Sequence, residues 1–333
     1  MTMKTKTIFT MAALAAVLAG CSDNEDMTLQ NNYPADGVIR MNVAVNDPQT
    51  RATYSDANTL TDFRIIVDNP NSPETYTYNS ILVENKVTGW TPEKQMLWAN
   101  DSDPVTIIAY KSAVNDPDYT IATTDVPVGI QTDQETDDNM LKSDFLFFKQ
   151  SNFIPKNDLT TTDGKVDIRF QHVLSKLTLT INLGTELNEP VVPSENPITE
   201  LKINGTAIAG TINFNTAGNT EDGNIPNVVT NENTDAVSPL YKVYTPAANK
   251  EKQGSVSYEC ILIPQNISEN VFSVSFKVGA KNYEWVSKKA VELQPGTAHT
   301  LTLLAGKEVV LVGDITAGKW HCLLYTSPSP RDR

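Results

Sequence analysis

Short runs in which apolar and polar residues alternate occupy most of the chain after residue 37. Ile39, Met41, Val43 and Val45 alternate with Arg40, Asn42 and Ala44, the period of a strand with one buried face. Asn46-Asp47-Pro48 ends that run. Phe63 to Val67 is a second run, closed by Asp68-Asn69-Pro70-Asn71-Ser72-Pro73. Tyr76, Tyr78, Leu82 and Val83 mark further extended segments, and Trp90 and Trp98 flank a short loop. Val105 to Tyr110 reads as a buried strand, and another begins near Phe145-Leu146-Phe147-Phe148.

The second half continues in the same way. Asn157 to Lys165 is polar and reads as a linker. Val166 to Ile181 alternates at its start and end, with a bulge expected around Leu174. Ile198 to Ile203 and Thr211 to Phe214 read as strands around a turn at Asn204-Gly205. Val256, Tyr258, Cys260 and Leu262 alternate, which makes Cys260 a small buried hydrophobe rather than a reactive thiol. Phe272, Val274, Phe276 and Val278 lead into Gly279-Ala280-Lys281-Asn282 and back through Trp285, a hairpin. Pro295-Gly296 is a turn, and His299 to Leu303 and Val309 to Val312 are late strands. After the leader no segment carries a sustained helical period. Many short strands separated by turn residues predict an all-β chain built of β-sandwiches.

The N-terminus follows another rule. Lys4 and Lys6 precede the apolar stretch Ile8 to Leu18, too short to span a bilayer comfortably. Leu18-Ala19-Gly20-Cys21 then resembles the lipobox of bacterial lipoproteins. That resemblance implies a signal peptide over 1–20 and a lipid on Cys21, whose sulfur is the nucleophile that takes the diacylglycerol. Residues 21–36 form a polar tether, in which Ser22-Asp23-Asn24-Glu25-Asp26 resembles the export tags of Bacteroidetes surface lipoproteins. The net charge of −14 over 333 residues excludes nucleic acid as a partner and disfavours docking on anionic lipid through basic patches. With Cys21 given to export and Cys322 in an anomalous tail, no disulfide framework remains. That tail, 322–333, departs from everything before it and resembles translated sequencing adapter.

Phe170, His172, Leu174, Ser175, Lys176 and Leu177 resemble the F-x-H-x-L-[SA]-K-L signature of the fimbrillin-like proteins of Bacteroidetes. Trp90, the Trp98 region and Val105 to Tyr110 are similar to that family's first domain, and Leu262-Ile263-Pro264-Gln265 to a patch of its second. The resemblance implies two tandem transthyretin-like, Greek-key β-sandwich domains, over 37–156 and 163–320. It also implies a pilus subunit at the outer membrane and cell surface, joined head-to-tail to other pilin subunits. An Arg-specific protease cuts, here at Arg51-Ala52; the first strand, carrying Ile39, Met41, Val43 and Val45, leaves; a neighbour's C-terminal strand enters. Val309, Val310, Leu311 and Val312 are the candidate donor. A structural or adhesive role follows, with room for a host protein or glycan receptor.

Other readings carry less. Trp90, Trp98 and Trp285 suit a non-polymerising glycan-binding lipoprotein if exposed, and a sandwich core if buried. Asp133, Glu135, Asp137 and Asp138 suit calcium, yet lack the glycine and closing Glu of an EF-hand. His172 has neither His299 nor His321 at ligand spacing, and is expected to be structural at a strand or domain junction. With no G-x-S-x-G, no metal spacing and no Ser-His context, no catalytic residue, metal or cofactor is expected.

Overall fold

A computed structural model of the chain describes residues 32–45, 60–112, 119–312 and 315–320. The expectations for the leader, Cys21, Arg51-Ala52 and the 322–333 tail fall outside the described residues. Strands of the first half are β1 (Met41–Val45), β2 (Asp62–Asp68), β3 (Tyr78–Lys86), β4 (Gly89–Pro92), β5 (Val105–Lys111), β6 (Val126–Gly129), β7 (Leu146–Phe153) and β8 (Val166–His172). All but β6 form one seven-stranded sheet in the order β1-β8-β7-β5-β2-β3-β4. The sheet curls: Ile39 N–H donates to Met96 O at 2.9 Å and Trp98 N–H to Gly37 O at 2.8 Å, so the entry to β1 meets the segment after β4.

Side-chain alternation explains why this sheet is buried on both faces. Ile65, Val67, Ile107, Ala109, Leu146 and Phe148 point into one core with Ile39, Met41 and Phe170. Their neighbours Ile66, Ile108, Tyr110 and Phe147 point the other way, into a second core shared with the C-terminal half. There Phe214 packs on Tyr110 and Phe147, with ring centroids 5.1 and 5.4 Å apart. A strand buried on both faces reads as a continuous apolar run, as Val105–Tyr110 and Phe145–Phe148 do.

The second half contains β9 (Ser175–Leu183), β10 (Ile198–Ala207), β11 (Ala209–Ile212), β12 (Val229–Thr230), β13 (Thr234–Val237), β14 (Leu240–Thr245), β15 (Gly254–Leu262), β16 (Gln265–Ile267), β17 (Ser273–Val278), β18 (Lys281–Val286), β19 (Val291–Leu293), β20 (Thr297–Ala305), β21 (Val310–Val312) and β22 (Thr316–Lys319). One sheet runs β14-β15-β9-β20-β21, with β22 also on β20, and a second β13-β10-β17-β18; β12-β11-β6 and β16-β19 form two smaller sheets. Leu177, Leu179 and Ile181 from the first, and Ile203, Val274 and Phe276 from the second, share the core between them. The architecture is all-β, in layered sheets.

Three local readings need correction. Val166–His172 was expected to open the second domain, but β8 pairs with β1 and β7 in the first sheet. Val166, Ile168 and Phe170 fill the first core, while Leu177, Leu179 and Ile181 fill the second. The expected bulge near Leu174 is where the buried positions change from even to odd numbers, and the chain passes from one sheet to the next. Asn157–Lys165 is not a free linker: Leu159 is buried in the first core, and Thr160 N–H donates to Lys165 O at 2.9 Å. Asn204-Gly205 does not end a strand. β10 continues through it with a register shift, and Gly205 at φ 81° lies against Val271, leaving no room for a Cβ.

Candidate assembly site

The N-terminal edge begins with β1. It pairs in parallel with β8 alone, from Met41 opposite Val166 to Val45 opposite Phe170. Ile39, Met41 and Val45 are buried in the first core, and Val43 packs against it. The floor beneath them includes Phe170, whose ring lies 5.3 Å from Phe63 in an edge-on contact. The opposite face is polar. Arg40 pairs with Asp36 at 2.5 Å and holds that carboxyl down at about 2, and Asn42 accepts from Lys165 Nζ at 3.3 Å. Met41–Val45 is thus held by an apolar face and the β8 ladder, and the residues just before it by the backbone bonds to Met96 and Trp98. Arg51-Ala52 follows it in the chain, between Val45 and Leu60, outside the described residues.

The F-x-H-x-L-S-K-L segment forms the seam between the two cores. Phe170 belongs to the first core, and Leu174 and Leu177 to the second. His172, between them, is 3% exposed. Its Nδ1 lies 3.0 Å from Asp144 Oδ1, and its ring stacks on Trp320 at 4.1 Å and 7°. Ser175 Oγ donates to Gln294 O at 2.7 Å, and Lys176 reaches Glu259 at 3.3 Å. The pattern is a hinge of packing: His172 is held between Asp144 of the first half and Trp320 of the second, while Ser175 and Lys176 are tied to Gln294 and Glu259 of the second half.

The C-terminal edge is different. β20 runs parallel to β9 on one side. On the other, β21 covers its Leu303–Ala305 end and β22 its Thr297–Thr300 end. Val309 and Leu311 are more than half exposed, and Thr316, Ala317 and Gly318 are exposed. Among the described side chains of 309–319, Val310 and Ile315 pack partly against the core. Beneath β22 lies a cavity of about 550 Å³ lined by Trp285, Val291, His299, Ile315 and Ala317, among others. The segment covers this floor without filling it. His299 is buried, which pushes its pKa down, and its Nε2 accepts from Gln294 N–H at 3.2 Å.

The remaining sequence candidates do not converge. Trp98 is buried and stacks on Phe153 at 5.6 Å; Trp90 packs on Phe63 at 5.2 Å; Trp285 is 9% exposed. Trp98 is therefore core, Trp90 is half-buried, and Trp285 lines the cavity beneath β22. In the acidic loop Thr136 caps the short helix Asp137–Leu141, Asp138 pairs with Lys142, and Asp133 accepts from Glu135 N–H. Among the described residues no three His, Cys, Asp or Glu side chains gather around a common point. Cys260 is buried, which raises its thiol pKa well above the usual range.

Three structural residues escaped the sequence reading. Gln134, fully buried, bonds both the N–H and the carbonyl of Ile261 at 2.8 Å, sewing the acidic loop to β15. Lys149 is buried with its Nζ on Phe214 O and Asn215 O at 2.8 and 3.2 Å, and burial lowers its pKa. Trp320 seals the seam. A charged residue directly after an apolar run, Lys149 after Phe145–Phe148, was the available signal for Lys149; Gln134, inside a polar loop, carried none.

A family model described as fimbrillin-like matches residues 50–320. The chain belongs to the fimbrillin-like family. Among solved structures it is similar to a candidate cell adhesion protein from Bacteroides ovatus, with 16% identity, TM-score 0.58, and coverage of 85% of this chain and 97% of that one. A candidate cell adhesion protein from Bacteroides uniformis gives 18%, 0.56, 86% and 99% on the same measures. A fimbrial protein from Bacteroides vulgatus gives 13%, 0.51, 85% and 99%. At these identities the likeness establishes the fold. A sequence comparison with curated proteins gives no match.

Proposed function

We propose that this fimbrillin-like chain is a fimbrial subunit, structural or adhesive, exported as an outer-membrane lipoprotein through Cys21 and polymerised by strand exchange at the cell surface. An Arg-specific protease cuts at Arg51-Ala52, β1 leaves with the segment before it, and a C-terminal strand containing Val309–Val312 from another pilin subunit takes the vacancy. The observation that carries this reading is β1 itself: an apolar strand at a sheet edge, paired on one side, followed at once by a polar stretch that contains Arg51.

The energetics support it. Ile39, Met41 and Val45 are buried, and at roughly 1.5–3 kcal/mol each their loss exposes an apolar groove costing on the order of 5–9 kcal/mol. A domain is stable by only about 5–15 kcal/mol. An empty groove with an open β8 edge therefore favours refilling by β-strand addition. A head-to-tail contact of this kind propagates as a filament.

Purified precursor treated with an Arg-specific protease tests the proposal. Mass spectrometry is expected to find cleavage after Arg51, and electron microscopy to find fibres only in the treated sample. Cleavage at Arg51 that yields stable, unassembled monomers would sink the reading.

A further inference from the structure

We propose that the cleft at the seam between the two cores is a socket for one tryptophan carried at the end of a C-terminal strand. The chain's own Trp320 fills it in the isolated subunit, and the same residue of a second copy fits once the segment has lifted. The part that concerns a second copy rests on the assembly reading above.

The socket is built from parts of the seam. Its wall is His172, fixed from behind by Asp144, whose side chain is fully buried. The Trp320 indole lies flat on that imidazole at 4.1 Å and is 4% exposed. Its floor is the Pro295-Gly296 turn. Gly296 N–H donates to Leu174 O at 3.0 Å, and Gly296 O accepts from Trp320 N–H at 3.3 Å. Gly296 has φ 59°, and a Cβ there would collide with Ile225 and press on His172 O, so only glycine leaves the turn this close to β8. A cleft of about 290 Å³, lined by Gln171, Ile225 and Pro295 among others, continues beside the indole.

Trp320 is what anchors its segment. Thr316, Ala317 and Gly318 are exposed and Ile315 is half-buried, so Trp320 is the one side chain described in 315–320 that is fully buried. The anchor is also incomplete. The indole Nε1–H is buried without an acceptor among the described residues, a cost that water removes when the segment lifts. A flat aromatic contact on an exposed strand, with one unmet polar group, holds the segment without locking it. The same contact re-formed in trans is a domain swap, which needs no new complementarity.

The test uses the full chain with Trp320→Ala, without protease. Hydrogen exchange of the Thr316–Lys319 amides is expected to speed up at least about tenfold while β9 and β15 keep their protection. A labelled peptide Ile315-Thr316-Ala317-Gly318-Lys319-Trp320 is expected to bind the variant saturably. The same peptide ending in alanine is expected to bind at least about tenfold more weakly, as one lost anchor of about 1.4 kcal/mol or more requires. Trp320→Phe, the milder change, is expected to give intermediate protection, which keeps the test open should the alanine variant fold poorly. Unchanged exchange in both variants, or equal binding of the two peptides, overturns the socket. Because no cleavage is involved, these results stand apart from the outcome at Arg51.

Discussion

The N-terminal and C-terminal sheet edges differ in how they are held. At the N-terminal edge β1 buries Ile39, Met41 and Val45 and closes the curl of the first sheet. At the C-terminal edge β21 and β22 share one strand, expose Val309, Leu311 and three small or polar residues, and rest over a cavity. Leaving the first edge uncovers a core; leaving the second uncovers little beyond the seam at His172. In the proposed scheme, an edge of the first kind stays put until a covalent cut frees it from the rest of the chain. An edge of the second kind can exchange at low cost, because few buried contacts oppose it. Under the proposed strand exchange, this contrast is what makes β1 the candidate for surrender and the C-terminal segment the candidate donor.

Substitutions at the two edges should therefore differ sharply. Phe170→Ala removes the ring beneath β1 and its contact with Phe63, and is expected to destabilise the chain by about 3–5 kcal/mol in urea denaturation. A loss under 1 kcal/mol would mean the first core does not depend on this groove. Ile39→Ala and Met41→Ala, each truncating a buried side chain of the surrendered segment, are expected to cost about 2–4 kcal/mol apiece. They should also speed assembly after cleavage, because the departing strand binds less tightly.

Acidification probes the floor beneath β22. Burial holds the His299 pKa below its ordinary value of 6.5, so the unfolded chain takes up that proton before the folded one does. The contribution is fully present above about pH 6.5 and is lost as pH falls from there through the lowered folded value. Protonation also removes the Nε2 acceptor that Gln294 N–H uses. Thermal melts from pH 7.5 to 5 should show the decline, and His299→Gln should flatten it. The smallest effect belongs to Leu311→Ser. That side chain is 55% exposed, so stability should stay within about 0.5 kcal/mol of the parent while fibre yield after cleavage falls. A variant that loses stability instead would show β21 to be part of the resident fold.

Much of this was legible in residue order, for definite reasons. The alternation of Ile39, Met41, Val43 and Val45 gave the edge strand, because period two allows only one buried face. Asn46-Asp47-Pro48 marked its end. The Phe170-to-Leu177 pattern located the seam, but the shift of buried positions from even to odd was read as a bulge within one strand. A phase shift of this kind equally marks a corner between sheets, and only the partners of Phe170 and Leu177 decide which. Trp320 stayed hidden for another reason. Its neighbours Gly318 and Lys319 carry no apolar period, and its partner His172 is remote in sequence, so no local rule joins them. Lys149 and Gln134 likewise depend on distant backbone carbonyls.

A reversible lock tests most directly whether β1 must leave. Ala44 and Arg169 are exposed and lie opposite each other in the β1–β8 ladder, so Ala44→Cys with Arg169→Cys places two thiols at a spacing that a disulfide can bridge. Cys260, buried and with its thiol pKa raised, does not compete. The oxidised double variant, cut after Arg51, is predicted to remain monomeric by light scattering and to form fibres when reductant is added. Equal assembly in the oxidised and reduced samples would show that β1 stays in place while subunits join, and would contradict the account.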